Sequence, residues 1–207
     1  LIFFIQNLMT EPFNTKTKIS DVINDPDFGN YGRLIFPSRG YARGNTLGEL
    51  DLTWYSNIDP EKTVEIVNYM KSQVRSGATI FYDIYTESQK KADSSKKNSG
   101  LFFFRGTPGA RFAICNAGGG FAYVGAMHDS FPHALELSKK GYNAFALIYR
   151  PDSNLAFIDL SYAIKFVFEN AKELDIDTSC YSLWGGSAGA RMAAYLGSYG
   201  TIEFCDF

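Results

Sequence analysis

The sequence lacks charge imbalance, paired cysteines and long apolar runs, and each lack closes a class of function. A formal net charge of −2 gives no electrostatic case for binding nucleic acid or an anionic membrane surface. Cys115, Cys180 and Cys205 are widely spaced, odd in number and form no Cys-x-x-Cys pair. That pattern points to buried free thiols rather than a disulfide framework. The apolar opening Leu1 to Met9 is far too short to span a bilayer. It has no basic flank and no Ala-x-Ala-like cleavage site, so it does not read as a signal peptide. No compartment is assigned; a cytoplasmic one is the plainer reading, and secretion stays open. No initiator Met is present either, and the chain reads as a fragment open at both ends.

What is present is a globular composition, 45 % apolar and 20 % charged, enough to bury a core. Its length suggests one domain with an N-terminal extension. Residues 11–58 are rich in Gly, Asn, Pro and Asp, with turn signals at Asp25-Pro26, Phe28-Gly29-Asn30 and Gly44-Asn45. They read as irregular, with little regular structure. Asp25 to Gly29 faintly resembles a calcium loop, but its Gly comes one place early and Phe36 stands where Glu is needed. Asp59-Pro60-Glu61 supplies an N-cap, a first-turn Pro and a first-turn acid, predicting a helix over 59–76. The extension is thus expected over 1–77 and the main unit over 78–207.

From residue 78 strands and helices alternate. Ala78 to Thr86 and Leu101 to Arg105 read as strands. Between them, Glu87 to Ser99 carries Lys90, Lys91, Lys96 and Lys97 and reads as a solvated hairpin loop. Arg111 to Cys115 and Tyr142 to Tyr149 suit buried strands. A helix capped by Asp129 or Ser130 lies between them and stops at Gly141. Phe157, Leu160, Ile164, Val167, Ala171 and Leu174 then recur at helical spacing. Asp175 to Thr178 turn out of that helix, and Cys180 to Trp184 form the next strand. The alternation predicts an α/β fold, a mostly parallel sheet with helices on both faces. Ligand sites in such sheets form at the C-terminal ends of strands.

Two Gly-rich segments fall at those ends. Gly185-Gly186-Ser187-Ala188-Gly189 sits between a strand and a helix, the context of a nucleophile elbow, whose flanking positions must be small. Asn116-Ala117-Gly118-Gly119-Gly120-Phe121 follows an earlier strand. Acyl transfer through serine needs a hydroxyl, a base and oxyanion donors. Ser187 offers the hydroxyl, while the N–H of Ala188 and the Gly118–Gly120 backbone offer donors. Phe121, Tyr123 and His128 are candidates to line the pocket. Nucleotide binding fails on spacing, because Tyr123 stands where a third Gly is needed and no Gly-Lys-Ser/Thr occurs. His128 and His133, the only histidines, both precede the serine. In the chain order Ser, Asp or Glu, His, neither is the base. Glu203 and Asp206 follow the serine too soon to be the acid.

Residues from about Thr79 to Gly200 resemble the α/β-hydrolase superfamily, in its esterase/lipase branch with a Gly-Gly-Gly oxyanion loop. The resemblance rests on Asn116 to Phe121, Lys140 to Pro151, Asp159 to Ile164 and Gly185 to Gly189. It implies Ser187 as nucleophile, with Ala188 and Gly119 or Gly120 as oxyanion donors. Asn116, Gly118, Gly185 and Gly189 would shape the motifs. It implies a small-molecule ester substrate and no metal or organic cofactor. The branch's later strands, with their catalytic Asp and His, are absent from this sequence, so the chain alone is expected to be inactive. A non-catalytic module of the same fold and a serine peptidase are the alternative readings. Oligomeric state is left unassigned.

Overall fold

The computed structural model describes residues 12–38 and 40–205. The apolar opening and Asp206 lie outside the described residues. A five-stranded sheet forms the centre, in the order β3 (Phe81–Tyr82), β4 (Gly100–Phe104), β6 (Asn143–Ile148), β5 (Arg111–Asn116), β7 (Asp177–Gly185). β5 pairs parallel with β6 and β7, as the alternation predicts, while β3–β4 and β4–β6 are antiparallel. The sheet is therefore mixed and the fold α/β. The first expected strand, 78–86, shrinks to the two residues of β3.

Strand alternation sends successive side chains to opposite faces. Phe102 and Phe104 of β4 meet Phe131 at the head of α5 (Phe131–Lys139), and Phe104 also stacks on Tyr69 of α2 (Pro60–Arg75). Phe103 turns the other way, stacking on Phe145 at 4.3 Å. On that face Phe112 meets Phe168 of α6 (Leu155–Glu169), and α6 contacts α8 (Ala188–Tyr199). Ala171 and Leu174, expected to continue α6, belong to the separate short helix α7 (Ala171–Leu174) beyond Asn170.

The polar stretch 87–99 is not a loop. Thr86 and Gln89 form a reciprocal capping box at the head of α3 (Glu87–Ala92), and a 3-10 turn covers Ser94–Asn98. This box satisfies two otherwise orphaned backbone donors and starts the helix. Lys90 is buried between Asp83 and Glu87 rather than solvated. Residues 12–58 hold α1 (Ile19–Ile23), the two-residue strands β1 (Ala42–Arg43) and β2 (Asp51–Leu52), and 3-10 turns. Irregular as they are, they bury Val22, Phe28, Ile35, Leu47 and Leu52 in the common core. Cys115 and Cys205 are buried, as expected, but Cys180 is exposed because it lies on β7, at the sheet's outer edge. Among the described residues no helix is long and apolar enough to cross a membrane.

Candidate active site

β5 and β7 run parallel and adjacent, with Asn116 opposite Gly185. That register brings the two Gly-rich segments to the same end of the sheet. β7 ends at Gly185, and α8 begins at Ala188. Between them Ser187 holds φ 50° and ψ −118°, a region that L-residues adopt only when the surroundings impose it. The small neighbours are required by packing. A Cβ on Gly185 would lie 2.3 Å from the Gly189 carbonyl carbon, and one on Gly189 would lie 2.0 Å from the Asn116 carbonyl oxygen. Ala188 is buried at the head of α8, where its N–H adds to the positive end of the helix dipole.

The triplet loop lies against this elbow. A Cβ on Gly118 would sit 2.8 Å from the Ser187 Cβ. Gly119 and Gly120 have φ of 143° and 63°, which only glycine adopts freely. The loop is held by several hydrogen bonds. The Tyr149 hydroxyl donates to the Ala117 carbonyl (2.5 Å), and the Gly125 N–H donates to the Gly118 carbonyl (2.9 Å). The Gly118 N–H donates to Asp129 Oδ2 at 2.8 Å, so it is already engaged. Among the described residues no acceptor takes the N–H groups of Gly119, Gly120 or Ala188.

Asn116 is fully buried at the end of β5. Its Nδ2 donates to the Trp184 carbonyl (3.0 Å) and the Ile114 carbonyl (3.3 Å), tying β5 to β7 just below the elbow. Its Oδ1 has no partner among the described residues. Asn116 also lines a cavity of about 80 Å³ with Asp129, His133 and Gly186, large enough for ordered water.

Two residues at the candidate site escaped the sequence reading. Asp129, read there only as a helix cap, accepts at one oxygen from both Gly118 and the Tyr55 hydroxyl, the latter at 2.9 Å. It also abuts Gly186, where a Cβ would lie 2.3 Å from its Oδ2. Tyr55 comes from the N-terminal segment. Burial, then the charge of Asp129, push its hydroxyl well above the ordinary tyrosine range, so it stays a proton donor. No local pattern signals this pair, because the partners are 74 residues apart.

The remaining candidates are placed as follows. His128 lies in α4 (Ala126–Asp129) with its ring 4.8 Å from that of Tyr55. Phe121 packs between Tyr149 and Phe157. Tyr123 is enclosed, 2 % exposed, with its hydroxyl donating to the Thr53 carbonyl. His133 faces Trp184. Glu203 accepts from Tyr195 at 2.7 Å, beyond the C-terminal end of α8. Among the described residues no imidazole or carboxylate hydrogen-bonds Ser187, and no group of three or more His, Cys, Asp or Glu could hold a metal ion.

Residues 107–205 match the family model BD-FAE, an α/β-hydrolase-type esterase domain. Among solved structures, the acetyl ester-xyloside bifunctional hydrolase from Caldicellulosiruptor lactoaceticus is 30 % identical over 49 % of this chain and 39 % of that one, with a TM-score of 0.46. The α/β hydrolase MGS-M1, from a Medee basin deep-sea metagenome library, is 26 % identical over 49 % of this chain and 47 % of that one, with a TM-score of 0.45. Esterase LipW from Mycobacterium marinum is 20 % identical over 69 % of this chain and 48 % of that one, with a TM-score of 0.49. The chain thus spans less than half the length of each of these proteins. No curated protein matches it.

Proposed function

We propose, taking residues 107–205 as an α/β-hydrolase-type domain, that this chain carries the nucleophile half of a serine esterase acting on carboxylic esters of small molecules. The observation that carries the reading is the strained φ of Ser187 at a strand-to-helix turn, set against the Gly118–Gly120 loop. Ser187 Oγ attacks the ester carbonyl carbon, and a base takes its proton. The carbonyl oxygen becomes an oxyanion, held by the N–H groups of Ala188 and Gly119, with Gly120 beside them. Collapse expels the alcohol, which regains the proton. Water then releases the acid from the acyl-serine by the same steps in reverse. Loss of one oxyanion donor costs about 3 kcal/mol of transition-state stabilisation.

The reading requires a base and an orienting acid that no described imidazole or carboxylate supplies to Ser187. Support comes from the two histidines, neither of which bonds Ser187. The test is hydrolysis of a chromogenic acetate by three proteins: the 207-residue chain, a version extended downstream, and the extended Ser187→Ala variant. Activity is expected only in the second. The variant should fall by at least about a thousand-fold. Equal, Ser187-dependent turnover by the short chain would make His128 or His133 the base. Full activity in Ser187→Ala would remove the mechanism.

A further inference from the structure

Trp54 has an exposure that packing does not account for. It is 69 % exposed, the indole lying on the outer side of Tyr123, with ring centroids 5.9 Å apart. Its backbone sits at φ 67°, and Asn57 at φ 61° follows close behind. A non-glycine residue in the left-handed region costs on the order of a kilocalorie per mole or more. An indole left mostly in water recovers little of that through burial. Strain retained without a packing return gathers at ligand sites.

The position names the ligand. Trp54 lies against the triplet loop, and a Cβ on Gly120 would meet the indole Cζ3 at 3.0 Å. Two residues back along the same loop, Gly118 faces the Ser187 Cβ. Two Cα steps span at most roughly 7 Å, so the indole and the serine flank opposite ends of one short loop, within reach of a single small ester. Tyr123 is itself fixed, stacked on Tyr41 at 4.9 Å and bonded to the Thr53 carbonyl. The indole is thus covered on one side by Tyr123 and largely exposed, at the Gly120 end of the loop whose Gly118 end meets Ser187.

We infer that Trp54 is a substrate platform: it stacks on a flat ring carried by the ester, and the N-terminal segment thereby sets specificity for a reaction carried out by the hydrolase core. The inference rests on the esterase reading of Ser187. The shared chemistry is a ring with an apolar face, which a sugar offers through its C–H bonds and an aromatic group through its π system.

The test reads binding, so it does not depend on turnover. In the Ser187→Ala, Trp184→Phe background, the fluorescence of Trp54 is followed while three esters are titrated: methyl benzoate, a mono-acetylated methyl glucoside, and ringless ethyl acetate. At least one ringed ester is expected to bind about ten-fold tighter than ethyl acetate, and which one identifies the ring. Calorimetric titration of Trp54→Leu should show that advantage lost. Trp54→Gly, which relieves the positive φ, should lose it too while keeping the thermal midpoint. Equal binding of all three esters overturns the platform, as does an advantage that survives in Trp54→Leu. Unfolding of Trp54→Gly would show the indole to be structural and would also overturn it. If hydrolysis by the extended protein proves independent of Ser187 while the ring preference stands, the esterase reading alone has failed.

Discussion

At the scale of single residues, glycines show most sharply how chemistry constrains this site. Gly189 and Gly197 lie in the same helix, α8, yet they answer to different demands. A Cβ on Gly189 would press the Asn116 carbonyl at 2.0 Å, whereas one on Gly197 meets nothing within 4 Å. Gly189→Ala should therefore destabilise by about 1–3 kcal/mol through overpacking against backbone. Gly197→Ala should stabilise by about 0.5–1 kcal/mol, because it removes unfolded-state freedom from a helix position. Urea unfolding of the two variants checks the opposite signs, and a Gly189→Ala as stable as the parent would mean the elbow is looser than described. Asp129 obeys a second constraint. Asp129→Ala leaves the Gly118 N–H without its partner, at a cost of about 1–3 kcal/mol, and Tyr55→Phe should cost less, since Gly118 keeps its acceptor. The Gly-x-Ser-x-Gly pattern is legible in the sequence because its residues are contiguous, although the Asn116 carbonyl that crowds Gly189 comes from another strand. The Asp129–Tyr55 pair is not, because only folding brings those residues together.

At the scale of elements, the readable parts were those in which local chemistry and tertiary packing agree. Asp59 caps α2 as its sequence predicts, accepting from the N–H groups of Glu61 and Lys62. The buried runs of β5 and β6 are long enough and apolar enough to announce themselves. The segment 87–99 was misread because its lysines outweighed a four-residue signal, the Thr86 and Gln89 capping box. Thr86→Ala should cost about 1 kcal/mol of stability. Hydrogen exchange should place the loss in α3 and the following 3-10 turn. A loss spread evenly through the sheet would deny α3 its local cap. The direction of β4 was also beyond reach, since a short strand entered from a helix gives no sign of which neighbour it will pair with. β7 in turn reaches back to Asp177, past the expected turn, through a register irregularity opposite Arg111 and Phe112.

At the scale of the whole molecule, the segment before α2 is joined to the core by charge as well as by apolar contact. Lys71 of α2 is nearly buried and meets Asp25 at 2.5 Å and Asp27 at 3.1 Å, while Arg75 Nε reaches Asp27 at 2.8 Å. Turn-rich composition gave no hint of this, because residues 12–58 get their order from contacts made far along the chain. The same segment delivers Trp54 and Tyr55 to the site, so losing its anchorage would reach the chemistry. The hydrogen bond from Arg75, aided by Lys71, holds the Asp27 carboxyl below the ordinary carboxylate range. A group with a depressed folded pKa contributes stability that is present above its unfolded value and lost as pH falls through the folded one. For Asp27 that loss begins below about pH 4. Asp27→Asn should therefore be less stable than the parent at pH 7, and the gap should close on acidification. Urea unfolding at pH 7, 5, 4 and 3 measures it. Curves that stay parallel down to pH 3 would show that the Asp27 charge contributes nothing and that Asp25 alone answers Lys71.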